Sequence, residues 1–293
     1  MSAGSQWSIT APQKLTFDDP VSTLDVRIAG GTVNVVGTDH GPARLEVSEI
    51  DGPALKVGHV DGTLSVGYDD LSWKGFRKWL GQWNRTAHVT LTVPVGTSAT
   101  VGVIGGSAVI SALAGRAELR GVSGDFTLLG LTGPVRAETV SGRIEAQAVT
   151  GELRFHSVSG DLTVIECSGP SVRAESVSGD MVLDLAPAPK CSDINLTTVS
   201  GEIAIRLPHP ADAEIEASTA TGSVSSGFDD LRVSGPWGSE GTPSGSWGRI
   251  TGRLGAGNGS LKATTVSGAI ALLRRPPSED DTDTTDGTQG KVL

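Results

Sequence analysis

The side chains best suited to bind a metal ion or to act as a nucleophile are few in this chain of 293 residues. The histidines are His40, His59, His88, His156 and His209. None of them stands at a metal-ligand spacing from a cysteine or from another histidine. Cys167 and Cys191 form neither a disulfide framework nor a metal motif, so we interpret them as small buried hydrophobic residues. The sequence therefore predicts no metal site and no cofactor.

Carboxylates are the second group of side chains that could bind a metal ion. Three aspartates directly follow a glycine: Asp125, Asp161 and Asp180. Corner aspartates bind calcium in nonapeptide-repeat rolls, which carry them in dense rows at both corners. Here Arg143 interrupts the row, and the other corner carries Arg116, Pro134 and Pro170. We therefore disfavour calcium and expect these aspartates to accept hydrogen bonds from nearby backbone amides.

No signature of a known catalytic site is present. The chain has no G-x-S-x-G elbow, no phosphate-binding loop ending in G-K-[ST], and no G-x-G-x-x-G after a strand. Sugar-cleaving β-helices use a pair of carboxylates, but the acids here are spread over both predicted faces, so no pair stands out. We predict that the protein is not an enzyme and has no catalytic residues. A carbohydrate-binding or carbohydrate-cleaving β-helix is an alternative.

The elements that would position any site are set by a repeat of nine residues. The glycines that mark it without a miss are Gly106, Gly115, Gly124, Gly133, Gly142, Gly151, Gly160 and Gly169. Gly179, Gly201, Gly222 and Gly268 follow at wider spacings. A fixed period of this kind indicates a repeat architecture. A serine or threonine precedes most of these glycines, and we expect each pair to form a corner at which glycine adopts a positive φ.

Alternation within each unit predicts one short strand. With glycine as the ninth position, positions two, four and seven are apolar almost throughout, whereas positions three and five are mostly polar. Alternate units resemble each other more than adjacent ones do: GPVRAETVSG (133–142) recurs as GPSVRAESVSG (169–179). The sequence therefore predicts an all-β, right-handed parallel β-solenoid with coils of 18 residues and two strands per coil.

Stacking these coils creates two outer faces. The candidate charged face carries four basic side chains in columns with glutamates: Arg136, Arg154, His156 and Arg173. It is either a recognition surface or a solvated ladder of ion pairs, each worth at most about 1 kcal/mol. The opposite face, with Thr127, Glu145 and Thr163, is flatter and less charged. It suits a partner surface or a cover by the protein's own segments.

Two aromatic insertions break the repeat, at 72–85 and 233–249. The first, SWKGFRKWLGQWNR, contains no acid. Its candidate interaction residues are Trp73, Phe76, Arg77, Lys78, Trp79, Trp83 and Arg85. As a helix it would have one aromatic face, either resting on an anionic membrane or capping the solenoid. We expect the second insertion to be a loop, whose Trp237 and Trp247 could stack on sugars.

Composition narrows the class of partner. The formal net charge is −10 and the pI about 4.9, which argues against nucleic acid. The N-terminus lacks a signal-peptide pattern, and no apolar run is long enough for a transmembrane helix. We expect a cytoplasmic protein, peripheral at the inner membrane face if it binds lipid. Its predicted parts are an arm at 1–14, the solenoid at 15–275 and a disordered acidic tail at 276–293.

Three stretches resemble a known family. They are the strand–glycine–strand opening STLDVRIAGGTVNVVGTD, the stretch HVTLTVPVGTSATVGVIGG (88–106), and the V-S-G-[DE] units that end in TTVSGAIALL. Over roughly residues 15–275 the chain resembles the bacterial β-strand-repeat domains of unknown function that bear an adhesin label. The resemblance implies a β-solenoid and defines no catalytic residues. We predict an interaction scaffold for a protein or a membrane surface, with a self-assembling, cytoskeletal-type solenoid as an alternative.

Overall fold

A computed structural model describes residues 4–68, 85–186, 193–235 and 247–276. The regular secondary structure of these residues consists of β-strands joined by turns. The strands form a 14-stranded sheet, called sheet A, and a 12-stranded sheet, called sheet B. The strands are β1 (Ser5–Ile9), β2 (Gln13–Phe17), β3 (Thr23–Ile28), β4 (Gly30–Thr38), β5 (Ala43–Asp51), β6 (Leu55–Val60), β7 (Thr63–Gly67), β8 (Thr86–Pro94), β9 (Ser98–Val103), β10 (Ser107–Ser111), β11 (Ala117–Gly121), β12 (Asp125–Leu129), β13 (Val135–Thr139), β14 (Arg143–Gln147), β15 (Leu153–Ser157), β16 (Asp161–Cys167), β17 (Ser171–Glu175), β18 (Met181–Leu185), β19 (Asp193–Thr197), β20 (Ile203–Leu207), β21 (Ala213–Thr219), β22 (Val224–Ser226), β23 (Arg232–Ser234), β24 (Gly248–Leu254), β25 (Gly259–Thr265) and β26 (Ile270–Arg274).

Successive strands from β9 to β20 alternate between the two sheets, and strands of neighbouring coils pair in parallel. Sheet A runs β1-β6-β7-β3-β9-β11-β13-β15-β17-β19-β25-β21-β24-β23, and sheet B runs β2-β5-β8-β4-β10-β12-β14-β16-β18-β20-β26-β22. In the regular part, Ala117 pairs with Val135 and Ser107 with Asp125. The prediction of an all-β chain with two mostly parallel sheets is therefore confirmed.

A single apolar core fills the space between the sheets. Positions two and four of each repeat point inward, so the largest buried side chains include Phe126, Phe155 and Leu119. Each coil contributes only a few inward side chains, and each inward row continues in register into the next coil. This sharing explains how a chain with 4% aromatic residues can form a continuous core.

The repeat glycines are required for a different reason from the one predicted. Among those that the structure describes, only Gly142 has a positive φ, at 107°. At the others, a Cβ would lie against a backbone oxygen of the neighbouring coil. For example, a Cβ on Gly201 would meet the carbonyl oxygen of Gly179, and one on Gly179 would meet that of Gly160. The glycines therefore allow close stacking of the coils.

Antiparallel strands form both ends of sheet A, with β1 and β23 as its outermost strands. At the first end, β1 pairs with β6, and β2 pairs with β5 at the corresponding edge of sheet B. Trp7, Phe17 and His59 pack there edge to face, with ring centroids 5.4 and 5.6 Å apart. At the other end, β24 lies antiparallel between β21 and β23.

Candidate interaction surfaces

The charged face lies on the outside of sheet A, where the register places three predicted arginines side by side. Arg136 pairs with Arg154, and Arg154 pairs with Arg173, on three adjacent parallel strands. All three side chains are about half exposed, at 45%, 46% and 51%. Like charges directly opposite each other in a sheet are unfavourable, so this row requires nearby carboxylates.

Each arginine has a different carboxylate partner. The Nε of Arg136 donates to Glu138 at 2.7 Å, and the Nε of Arg154 donates to Glu152 at 2.8 Å. Arg173 donates from Nη2 to Asp193 at 3.1 Å. The hydrogen bond from Arg154 lowers the pKa of Glu152, and the one to Glu138 raises the pKa of Arg136.

His156, the fourth predicted member of this face, lies beside the arginine row. It pairs with Glu138 on one neighbouring strand and with Glu175 on the other. Its Nδ1 is 3.4 Å from Glu175, and 43% of its side chain is exposed. The structure therefore brings all four predicted residues to one surface, with His156 open to solvent.

A shallow groove of 140 Å³ lies at one side of this face. Arg116, Arg136 and Arg154 line it together with Glu152, and Pro134 and Val135 contribute to its walls. Its lining carries three guanidinium groups and one carboxylate. The groove could therefore accept an acidic side chain of a partner, because planar guanidinium groups bind carboxylates in a fork geometry.

In the middle coils, from β10 to β16, the outer face of sheet B carries far fewer charges than that of sheet A, as the sequence predicts. Thr127, Glu145 and Thr163 lie in register on β12, β14 and β16. Val182 and Leu273 are exposed on the same sheet, at 46% and 48%. The neutral side chains are concentrated on β10, β12 and β16, whereas β5 carries Arg44 and Glu46 on the same sheet.

An ion-paired cluster on sheet B was missed in the sequence. Asp184 is only 8% exposed and pairs in register with Arg206 on β20. Arg206 donates to it from Nε at 2.9 Å and also from Nη2, and Arg275 donates from Nη2 at 3.0 Å. These contacts, led by the Arg206 hydrogen bond, lower the pKa of Asp184. The signal available was an acid within the apolar MVLDL at the position matching the arginine of IAIRL.

The corner that leads from sheet A to sheet B contains the repeated V-S-G motif, and its hydroxyl groups are all used within the fold. The serine after each valine donates to a backbone carbonyl of an earlier coil: Ser123 to Ile104 and Ser141 to Val122, both at 3.1 Å, and Ser159 to Val140 at 3.2 Å. At four of these corners the residue before the valine accepts a hydrogen bond from the glycine amide, as at Ser176, where the distance is 2.9 Å. The polar residues of the motif are therefore structural.

The corner aspartates also hold neighbouring coils together. Asp125 accepts from the amide of Arg143 at 2.7 Å, Asp161 from that of Asp180 at 3.0 Å, and Asp180 from that of Glu202 at 2.8 Å. These are the backbone hydrogen bonds that we expected of them. Across the described residues, no three His, Cys, Asp or Glu side chains form a group that could hold a metal ion.

Most of the first predicted interaction segment lies outside the described residues, namely Trp73, Phe76, Arg77, Lys78, Trp79 and Trp83. Arg85 is described, and its guanidinium lies over the ring of Tyr68 at 5.3 Å. In the second insertion Trp237 lies outside the described residues, whereas Trp247 is 49% exposed. Within the described ranges, no helix is both long and apolar enough to cross a membrane.

Three bacterial proteins of known structure share similarity with this chain, each at low sequence identity. A candidate adhesin from Bacteroides fragilis NCTC 9343 has 16% identity and a TM-score of 0.47, covering 93% of this chain and 98% of its own. A candidate lipid-binding protein from Parabacteroides distasonis ATCC 8503 has 12% identity and a TM-score of 0.42, covering 92% and 98%. A candidate cell adhesion protein from Clostridium sporogenes ATCC 15579 has 11% identity and a TM-score of 0.30, covering 90% and 100%.

Among curated proteins, none matches the chain. The sequence profile of the family described as Toastrack DUF4097 matches residues 21–273. That range contains the whole repeat, both faces described above and the corner between them. The chain therefore belongs to the Toastrack DUF4097 family, a domain of unknown function, in agreement with the family resemblance of its repeats.

Proposed function

We propose that this protein is a non-enzymatic scaffold that presents the charged face of sheet A to a protein partner. The solenoid is taken to be right-handed, as parallel crossovers are, with equivalent residues about 18 positions apart. The row formed by Arg136, Arg154 and Arg173 carries the proposal. Its neighbouring like charges disfavour folding, and exposed ion pairs return at most about 1 kcal/mol each. Stability therefore does not explain why three arginines lie side by side on this face.

The charge balance of the face favours a protein over a membrane. From the residue before β11 to β19 it carries five arginines: Arg116, Arg120, Arg136, Arg154 and Arg173. It carries as many carboxylates: Glu118, Glu138, Glu152, Glu175 and Asp193. A surface with zero net charge gains little from an anionic bilayer. An alternating pattern, in contrast, can select a protein surface with the complementary pattern.

Site-specific photocrosslinking in the cells that produce the protein tests this proposal. A photoreactive residue at His156 should yield an adduct with one partner, and the same residue at Thr163 on sheet B should not. Charge reversal by R136E/R154E/R173E should abolish the adduct at position 156. Equal adducts from both faces, or an adduct that survives charge reversal, would contradict the proposal. Co-sedimentation with anionic but not neutral vesicles would indicate a membrane surface instead.

End-to-end self-association is the second candidate function, and strand β1 favours it. Its sequence, SQWSI, contains neither a charged residue nor a proline. Charged residues and prolines usually protect an edge strand from pairing with another chain, so β1 lacks this protection. At the other end of sheet A, β23 is only three residues long and so offers a much shorter edge. Filaments at raised protein concentration would establish this alternative.

A further inference from the structure

A line of exposed valines runs along the V-S-G corner. Five of them are 39–51% exposed: Val140, Val158, Val177, Val199 and Val266. Backbone hydrogen bonds join their corners in that order along the solenoid. Neighbouring coils are about 4.8 Å apart, so the five side chains form a ridge about 19 Å long. We call this set the valine ridge.

The same repeat position is buried at the other corner of the solenoid. There, between sheet B and sheet A, it is occupied by Leu131, Val149 and Cys167, which are 1–4% exposed. Burial explains the apolar side chains at that corner. It does not explain the valine ridge, because the valines there are 39–51% exposed.

Turn formation does not require valine either, because one coil forms the same corner without it. Between β21 and β22 the equivalent residue is Ala220, which is exposed. The hydrogen bonds of the motif are still present: Thr221 Oγ1 donates to the Val266 carbonyl at 3.1 Å, and the Gly222 amide donates to Thr219 Oγ1 at 3.0 Å. The valine side chains are therefore dispensable for the corner, and a row of exposed apolar groups suggests an interaction surface.

The charges beside the ridge restrict its partner. Two residues before these valines stand Glu138, His156 and Glu175, which belong to the charged face, where Arg136 pairs with Glu138 and His156 lies beside Glu175. Three residues after them, on the side of sheet B, stand Asp161, Asp180 and Glu202 together with the cation Arg143. The flank on the side of sheet B therefore carries three carboxylates and one guanidinium group, a net charge of −2. A partner must therefore combine apolar side chains with basic ones.

Two other occupants fit less well. An anionic membrane would be repelled by the flanks. A second copy would bring flanks of net negative charge together, and two convex corners can touch only along a line, too little for a stable interface. A helix is better suited, because grooves between its rows of side chains accept a ridge. About 13 helical residues match the length of the ridge.

We propose that the valine ridge binds a basic amphipathic helix of another protein. This inference rests on the proposed scaffold role but concerns a different surface from the charged face. The apolar side of the helix would cover the ridge, and its lysines or arginines would pair with the flanking carboxylates.

Binding of labelled model helices, followed by fluorescence anisotropy, tests the proposal. The probes are a helix of about 18 residues made of leucine and lysine, and a leucine–glutamate helix of the same length. The ridge variant is V158T/V177T/V199T, which keeps a β-branched side chain of nearly the same shape. The matched control is V182T, at an equally exposed valine on sheet B. Equal thermal midpoints of both variants and the parent show that the fold is intact.

The leucine–lysine helix should bind the parent and V182T equally, and the ridge variant at least about tenfold more weakly. The leucine–glutamate helix should not bind. Undiminished binding by the ridge variant, or equal binding of both helices, overturns the inference. Self-association lost in the ridge variant, without helix binding, would assign the ridge to a second copy and also overturn it. If R136E/R154E/R173E lost helix binding while the ridge variant kept it, the helix would bind the charged face. That result would overturn the ridge inference and leave the scaffold role standing.

Discussion

At the residue scale, the repeat glycines lie so close to the backbone of the neighbouring coil that a larger residue should not fit there. Gly201→Ala places a Cβ against the carbonyl oxygen of Gly179, and backbone atoms can move little to relieve the clash. We expect a loss of about 3 kcal/mol in the free energy of unfolding, the upper part of the range for overpacking. The midpoint of urea unfolding, followed by far-UV circular dichroism, measures it.

Gly96→Ala is the matched control, because a Cβ there meets nothing within 4 Å. Removing conformational freedom from the unfolded chain should leave this variant unchanged or more stable by up to about 1 kcal/mol. Equal effects at Gly96 and Gly201 would show that the spacing between coils does not constrain the corner.

At the element scale, Asp184 connects β18 to β20 and to Arg275, just after β26, and this connection should depend on pH. Its pKa is lowered in the folded protein, so its contribution to stability is complete above the unfolded value of about 3.9 and is lost as the pH falls below that value. Asp184→Asn should cost about 2 kcal/mol at pH 7, as expected for hydrogen bonds to charged groups. The difference from the parent should shrink as the pH falls below about 4.

Asp193→Asn serves as the comparison, since that carboxylate pairs with Arg173 at the surface and is 51% exposed. Its loss should cost less than about 1 kcal/mol at neutral pH. Thermal unfolding at a series of pH values measures both variants. A constant difference between Asp184→Asn and the parent down to pH 2 would contradict the role assigned to this side chain.

The register of the repeat could be read from the sequence because alternation and glycine spacing agree over eight successive units. The same columns place Arg136, Arg154, His156 and Arg173 on one surface, as the structure does. The burial of position seven could not be read, because apolar residues occupy it at both corners, and the path of the backbone at each corner decides whether the side chain is buried. The order of the last coils was also hidden: Gly268 stacks on Gly201, and Gly222 stacks on Gly268. Matching motifs do not reveal that β25 lies between β19 and β21.

At the scale of the whole molecule, the ends of the two sheets determine whether the solenoid stays separate. β1 and β2 cover the edges of β6 and β5, and Ile9 and Phe17 bury themselves in the core there. Deleting residues 1–19 should expose both edges and part of the core, so we expect a lower thermal midpoint and association that rises with concentration. Sedimentation velocity over a range of concentrations measures it, with a chain lacking residues 277–293 as the control, which keeps every described strand. If the shortened protein sediments as the full chain does at all concentrations, the antiparallel strands are not what limits end-to-end contact. If the full chain already assembles, its free β1 edge is the contact to test next.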